Sequence, residues 1–219
     1  MQQLLTFIKD KPARTYSAGS IILYQGEVPR HACVIKKGVV RASTISSSGD
    51  EQIIGFHKAG DVIPFSWLFK KTASTLYFYQ ASSDTEVVLV ERDELVTFLK
   101  QPENMPELLD DLISDNAATS IRISALEQPK AREKLMYTLY YLCKRFGAPG
   151  KHGNTQIMLD LTHQTLGALV GLTRETTATE MSKLKKQKIL TYKNQDYTVD
   201  TEKLLSLIGE DSFRDINIT

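Results

Sequence analysis

The period of the hydrophobic positions changes twice along the chain. Short β-branched and aromatic runs crowd the first hundred residues, at 20–24, 32–36, 39–44, 52–56, 75–81 and 85–90. Gly19, Gly26, Gly38, Gly49, Gly55 and Gly60 punctuate them, with turns such as Ser47-Ser48-Gly49-Asp50. Short strands at about 8–12-residue spacing predict a sandwich or roll of antiparallel strands, so residues 1–101 read as an all-β domain.

From Pro102 glycine vanishes until Gly147, and apolar residues recur at three- and four-residue intervals. Leu109, Leu112, Asn116, Thr119, Ile123 and Leu126 follow the a and d spacing of a heptad, and Leu108, Ala117 and Ile121 widen the stripe. With Pro106 in a first turn and Pro129 as a break, residues 102–129 predict a helix of about 20 or more residues. Two readings of its stripe stand: packing on its own domain, or on a parallel partner helix in a dimer. The polar Asn116 and Thr119 at core positions suit a register-fixing role or a ligand site between subunits.

Residues 130–205 return to short elements. A helix over 130–146 carries Leu135, Leu139 and Leu142 on its apolar face, and Gly147-Ala148-Pro149-Gly150 ends it. A loop with His152 and Gly153 precedes a strand at 156–159, and runs at 189–192 and 197–199 flank a hairpin turn, Lys193-Asn194-Gln195-Asp196. Residues 206–219, with Asp211, Arg214 and Asp215, read as a tail.

Between that strand and that hairpin lies the most informative stretch. Thr162 is placed to cap one helix, Gly171 to take a left-handed turn, and Thr173 to cap a second helix. Gly167 falls where two helices cross closely, and the whole predicts a helix-turn-helix. On the second helix Thr177, Met181 and Leu184 share an inward face, while Arg174, Glu175, Ala178, Thr179, Ser182 and Lys186 share the other. Arginine pairs with guanine O6 and N7 and glutamate accepts from cytosine N4, each good pair discriminating by about 1–3 kcal/mol. Lys183, Lys185, Lys186 and Lys188 suit phosphates, which position a protein without reading sequence. Thr162, Thr173 and Thr176 complete the predicted DNA surface.

Charge sharpens this picture. The 219 residues carry 27 Lys and Arg against 26 Asp and Glu, a net charge of +1 that argues against a nucleic-acid partner at first sight. By segment, however, the net charge is −3 over 1–129, +6 over 130–200 and −2 over 201–219. The basic excess coincides with the helix-turn-helix. Apolar runs such as Val87-Val88-Leu89-Val90 fall far short of the roughly 20 residues that span a bilayer, and no secretion leader is evident, so a cytoplasmic protein without a membrane partner is expected. Cys33 and Cys143 form no metal-ligand cluster, and no nucleophile elbow, P-loop or paired-carboxylate motif is present. Neither catalytic residues, nor a metal, nor a cofactor is expected.

The run Gln164…Gly167…Gly171-Leu172-Thr173-Arg174-Glu175-Thr176 resembles the helix-turn-helix of the CRP/FNR family of bacterial transcription regulators. Tyr24-Gln25-Gly26-Glu27, Lys37-Gly38-Val39-Val40 and Gly60-Asp61-Val62-Ile63 resemble the turns of its β-roll. The resemblance covers nearly the whole chain and implies an α+β fold. It comprises an N-terminal antiparallel β-roll (a cyclic-nucleotide-binding-like jelly roll), a long dimerisation helix, and a C-terminal winged helix-turn-helix whose wing is 189–199. It further implies a homodimer on a palindromic site, with half-sites roughly 34–36 Å apart in double-stranded DNA, and RNA polymerase as a partner. Thr177 and Glu180 stand at positions that are usually apolar in the family.

The effector site departs further. Family members that bind cyclic AMP place a Glu on the ribose and an Arg on the cyclic phosphate; here Phe65 and Thr75 stand at those positions. Cyclic AMP is therefore not the expected effector. Phe65, Ser66, Trp67, Phe69, Thr75 and Tyr77, with neighbouring Phe78 and Tyr79, either fill the core or line a small-molecule effector pocket closed by Thr119 and Ser120. Lys70 and Lys71 offer charge for an acidic ligand. Two cysteines are too few for the family's four-cysteine iron–sulfur sensor, and His31, His57, His152 and His163 form no haem constellation. The competing function is a signalling module that binds a ligand without sequence-specific DNA binding.

Overall fold

The computed structural model describes residues 2–209, and contacts divide the chain into two compact units, Met1–Asp111 and Leu112–Thr219. No helix among the described residues is long and apolar enough to cross a membrane.

The first unit runs α1 (Gln2–Phe7), β1 (Ala13–Tyr16), β2 (Ile21–Leu23), β3 (Ala32–Lys37), β4 (Val40–Ile45), β5 (Glu51–His57) and β6 (Val62–Ile63). The one-turn helix α2 (Phe65–Leu68), β7 (Phe78–Ala81), β8 (Thr85–Val90) and α3 (Arg92–Leu99) follow. The strands form two antiparallel four-stranded sheets, ordered β1-β8-β3-β6 and β2-β7-β4-β5. Side chains alternate across a strand. Cys33 and Ile35 of β3 and Val87 of β8 therefore meet Leu23, Val40, Ala42 and Tyr79 of the second sheet. Ala32, Val34, Val88 and Val90 point the other way, under Leu4, Trp67, Leu95 and Leu99 from the helices. The first sheet is thus covered on both faces. That is why Val87-Val88-Leu89-Val90 is continuously apolar instead of alternating. The turn before β4 requires glycine: Gly38 has φ +91°, and a Cβ there would stand 2.6 Å from the Asp84 carbonyl oxygen.

The antiparallel roll is as expected, but the strand predicted at 75–81 is shorter. Thr75 lies in a loop tied to the Gly26 turn, its N–H donating to Glu27 O at 2.8 Å and its carbonyl accepting from Gly26 N–H at 2.9 Å. Strands β1 and β6 and helices α1 and α3 were not predicted. β1 is a largely exposed edge strand, and β6 has only two residues.

Helix α4 (Met105–Glu127) lies within the predicted 102–129. Ser114, Ala118, Ile121 and Ala125 are buried along one side. The heptad stripe lies on another: Leu109, Leu112, Asn116, Thr119, Ile123 and Leu126 are all exposed. The second unit continues with α5 (Ala131–Phe146), whose buried face includes Leu135, Leu139 and Leu142. Gly147-Ala148-Pro149 does more than end that helix. It forms β9 (Gly147–Pro149), which pairs with β10 (Thr155–Ile157). Helices α6 (His163–Val170) and α7 (Arg174–Lys186) follow, then β11 (Leu190–Lys193) and β12 (Asp196–Val199), giving a sheet ordered β11-β12-β10-β9. Helix α8 (Thr201–Ile208), capped by Asp200 and ended by Gly209 at φ +75°, takes in the first residues of the expected 206–219 tail. Leu204 and Leu205 are buried, which holds this segment to the unit; residues 210–219 lie outside the described residues.

Candidate nucleic-acid interface

Local chemistry sets both helices of the helix-turn-helix. Thr162 Oγ1 accepts from Thr165 N–H at 3.0 Å, capping α6. Gly171 ends α6 in the left-handed region at φ +68°, and the Leu172 N–H donates to Gly167 O at 3.0 Å. Thr173 Oγ1 then caps α7, accepting from Thr176 N–H at 3.2 Å. Thr177 is fully buried with its hydroxyl donating to Thr173 O at 2.9 Å, so its polarity is satisfied inside its own helix.

Thr177, Met181 and Leu184 form the inward face of α7. Arg174, Glu175, Thr176, Thr179, Ser182, Lys183 and Lys186 are exposed together, with Ala178 half-buried among them. Thr162 and Thr173 are exposed at the two helix starts. The predicted DNA residues are thus carried by one helix and two caps, with Arg174 and Glu175 in the first turn of α7.

The four lysines separate. Lys183 Nζ lies 2.6 Å from Glu180 Oε1, the carboxylate that replaces a usual apolar residue. Lys185 leaves the helix surface for the wing: its ammonium sits 4.2 Å from the Tyr192 ring centroid and donates to Tyr192 O at 3.1 Å. Tyr192 stacks in turn on Tyr197 at 5.1 Å, and burial pushes the Tyr197 phenol up to about 12. Lys186 and Lys188 are exposed, the latter at φ +57° where α7 gives way to β11.

His163, in the first turn of α6, was assigned no DNA role from the sequence. Its ring meets Tyr192 edge-on at 5.6 Å, and burial, then the Arg174 charge, hold its pKa below the ordinary histidine value. Its place beside the capping Thr162 brings it near Arg174 in the first turn of α7.

The predicted effector residues do not form one cluster. Trp67 is buried in the outer core with Leu68, with Phe65 and Phe69 packed against it, 5.0 Å apart as rings. Arg92 crosses the Trp67 ring at 4.5 Å and donates from Nε to Leu68 O at 3.1 Å. Tyr77 and Tyr79 belong to the core between the sheets. Ser66 Oγ lies 3.4 Å from Thr72 Oγ1, and Thr75 is buried with its hydroxyl donating to Tyr24 O. Thr119 and Ser120 are exposed on α4, the Ser120 hydroxyl donating to Asn116 O at 3.1 Å. Cys33 and Cys143 are buried in different units, and burial raises each thiol to about 12.

Residues 13–102 match the cyclic nucleotide-binding domain family, and residues 133–207 the Crp-like helix-turn-helix domain family. The chain is 27% identical over 210 residues to the fumarate and nitrate reduction regulatory protein of Yersinia pestis, covering 95% of this chain and 82% of that protein. It is also 27% identical over 181 residues to the regulatory protein HlyX of Actinobacillus pleuropneumoniae, covering 82% of this chain and 74% of that one. Its fold is similar to that of FixK2 from Bradyrhizobium japonicum, with a TM-score of 0.74 at 22% identity over 90% of this chain and 96% of that chain. A roll and a helix-turn-helix on one chain, matched in sequence over both, lead to one conclusion: this chain belongs to the CRP/FNR family of DNA-binding transcription regulators.

Proposed function

We propose that the chain acts as a homodimer on a two-fold-symmetric DNA site, by binding and without catalysis, in the cytoplasm and in contact with RNA polymerase. The observation that carries this reading is the exposed first turn of α7, where Arg174 and Glu175 stand side by side on a basic unit. Arg174 reads a guanine and Glu175 a cytosine. Thr176, Ala178, Thr179 and Ser182 line the groove floor, and Thr162, Thr173, Lys183 and Lys186 hold phosphates. The exposed heptad stripe of α4 supports the dimer: Leu109, Leu112, Ile123 and Leu126 are apolar at coiled-coil spacing, and a second copy of the helix covers them. Two such protomers present two α7 helices to successive major grooves.

The regulator does not take cyclic AMP. Thr75, at the position of the phosphate-binding cation, is uncharged and spends its hydroxyl on Tyr24 O. A phosphodiester buried there lacks the charge partner it needs. Phe65, Trp67 and Phe69 serve the outer core, which favours DNA binding without an effector over a gated pocket.

Selection from a two-fold-symmetric DNA library, with and without cyclic AMP, tests the reading. The same palindrome is expected in both arms, with affinity falling steeply as salt rises. Sequence-blind binding in both arms, or a palindrome selected only with cyclic AMP, overturns it.

A further inference from the structure

Arg122 is among the few charged residues buried in the described chain, at 8% exposure. It lies on the inward side of α4 with Ala118, Ile121 and Ala125, away from the heptad stripe. Nη1 donates to Leu169 O at 3.0 Å, and the guanidinium lies 5.6 Å from the Tyr141 ring centroid on α5. Leu169 is in the last turn of α6, where backbone carbonyls lack partners within the helix and the macrodipole is negative. Burial lowers the Arg122 pKa, Tyr141 opposing, but arginine starts high enough to stay charged.

Burying a guanidinium is costly, and an apolar side chain of similar volume commonly fills such a space at less cost. What an apolar residue lacks is direction. A guanidinium hydrogen bond to a fixed carbonyl holds two helices at one angle and one register. A second strap lies seven residues earlier on α4: Asp115 Oδ1 is 2.6 Å from Arg145 Nη2, whose side chain is 10% exposed on α5. Asp115 and Arg122 stand two helical turns apart, about 10.5 Å along the axis, and reach different helices. Two separated points fix a direction that one does not. Downstream, Gly167 sets the crossing of α6 and α7 at contact distance, so a helix held at Leu169 carries α7 with it.

We propose that Arg122 is a positioning residue for DNA recognition: by clamping the end of α6 to α4 it sets the direction of α7 relative to the dimer axis, and hence the half-site spacing the protein accepts. This rests on the homodimer reading above. Helix α4 is the element shared by the protomers, so any play between α4 and α7 enters twice into the distance between the two recognition helices.

The test measures affinity of the full chain for palindromes whose half-site separation is changed by one and two base pairs. Wild type, Arg122→Met and Arg122→Lys are compared, with oligomeric state and thermal melting recorded for each. Wild type is expected to prefer one spacing by about tenfold or more over its neighbours. Arg122→Met is expected to remain dimeric, to keep its preferred half-site sequence, and to lose most of that spacing discrimination. Arg122→Lys, with one ammonium in place of a planar fork, is expected to fall between. An unchanged spacing profile in Arg122→Met overturns the proposal. Should Arg122→Met fail to fold, an unchanged profile in Arg122→Lys overturns it instead. Absence of any spacing preference in the wild type counts against the homodimer reading itself.

Discussion

Gly167 lies so close to Leu172 that a Cβ on it would stand 2.5 Å from the Leu172 carbonyl oxygen, and 3.0 Å from Thr177 Oγ1. The first obstacle is backbone, which cannot turn aside like the end of a side chain. Gly167→Ala therefore forces α6 and α7 apart, at a cost of roughly 1–3 kcal/mol from overpacking. Urea unfolding is expected to show that loss, and DNA affinity to fall with it. Wild-type stability in Gly167→Ala would refute the close crossing.

Glu180, mostly buried beside the inward face of α7, holds Lys183 within 2.6 Å. The pair is partly exposed, so its own stability contribution is below about 1 kcal/mol. Its electrostatic effect on DNA binding is larger, because the carboxylate both neutralises a phosphate ligand and repels the backbone. Glu180→Gln is expected to strengthen binding to specific and random DNA alike. The slope of log K against log salt should steepen by up to about 0.9 as one more phosphate is engaged. Weaker binding to both DNAs would show that Glu180 is needed to hold Lys183 in place.

Base reading and phosphate holding separate by experiment. Glu175→Ala is expected to relax selectivity at one base pair per half-site, by about 1–3 kcal/mol against the competing base. Lys186→Ala is expected to weaken all sequences equally. Competition binding against single-base variants of the site reads both, and equal loss at specific and random DNA in both variants contradicts the assignment.

His163 ties stability to pH. Its folded pKa is held below the ordinary histidine value of 6.5 by burial and by Arg174. The unfolded chain therefore takes up a proton first as pH falls, and stability declines from just above pH 6.5 down to the folded pKa, below which this loss is complete. The protonated ring is opposed by the Arg174 charge on α7, while the Tyr192 ring meets it edge-on from the wing. Chemical denaturation across pH 5 to 8 is expected to show a shallower decline in His163→Gln than in wild type. Identical pH profiles would remove His163 from the account.

What was legible in the sequence follows the range of the forces involved. Thr162, Gly171 and Thr173 act within four residues of themselves, so the helix-turn-helix was read nearly to the residue. The heptad stripe of α4 was read as well, since it records a surface facing something apolar; its exposure in a single chain is what favours a partner helix. Less was legible where contacts are distant in sequence. The aromatic group near residues 65–79 left two readings open, a filled core or a pocket, because its members are neighbours in the chain. The first sheet passes between them, sending Trp67 to one core and Tyr77 and Tyr79 to the other. Arg122 gave no signal at all, because the carbonyl that Nη1 binds is 47 residues away, and carbonyls have no letter in a sequence.

That anonymity has a consequence for how such a protein changes its targets. Strands β10 and β11 both flank β12, so the chain leaves the sheet for α6 and returns from α7 at points about 10 Å apart. Arg122 and Tyr141 lie outside the excursion, and the atom within it that Arg122 Nη1 holds is an oxygen that every residue supplies. The exposed residues of α7 can therefore change, and a new operator sequence be acquired, while the hydrogen bond that aims the helix is left untouched.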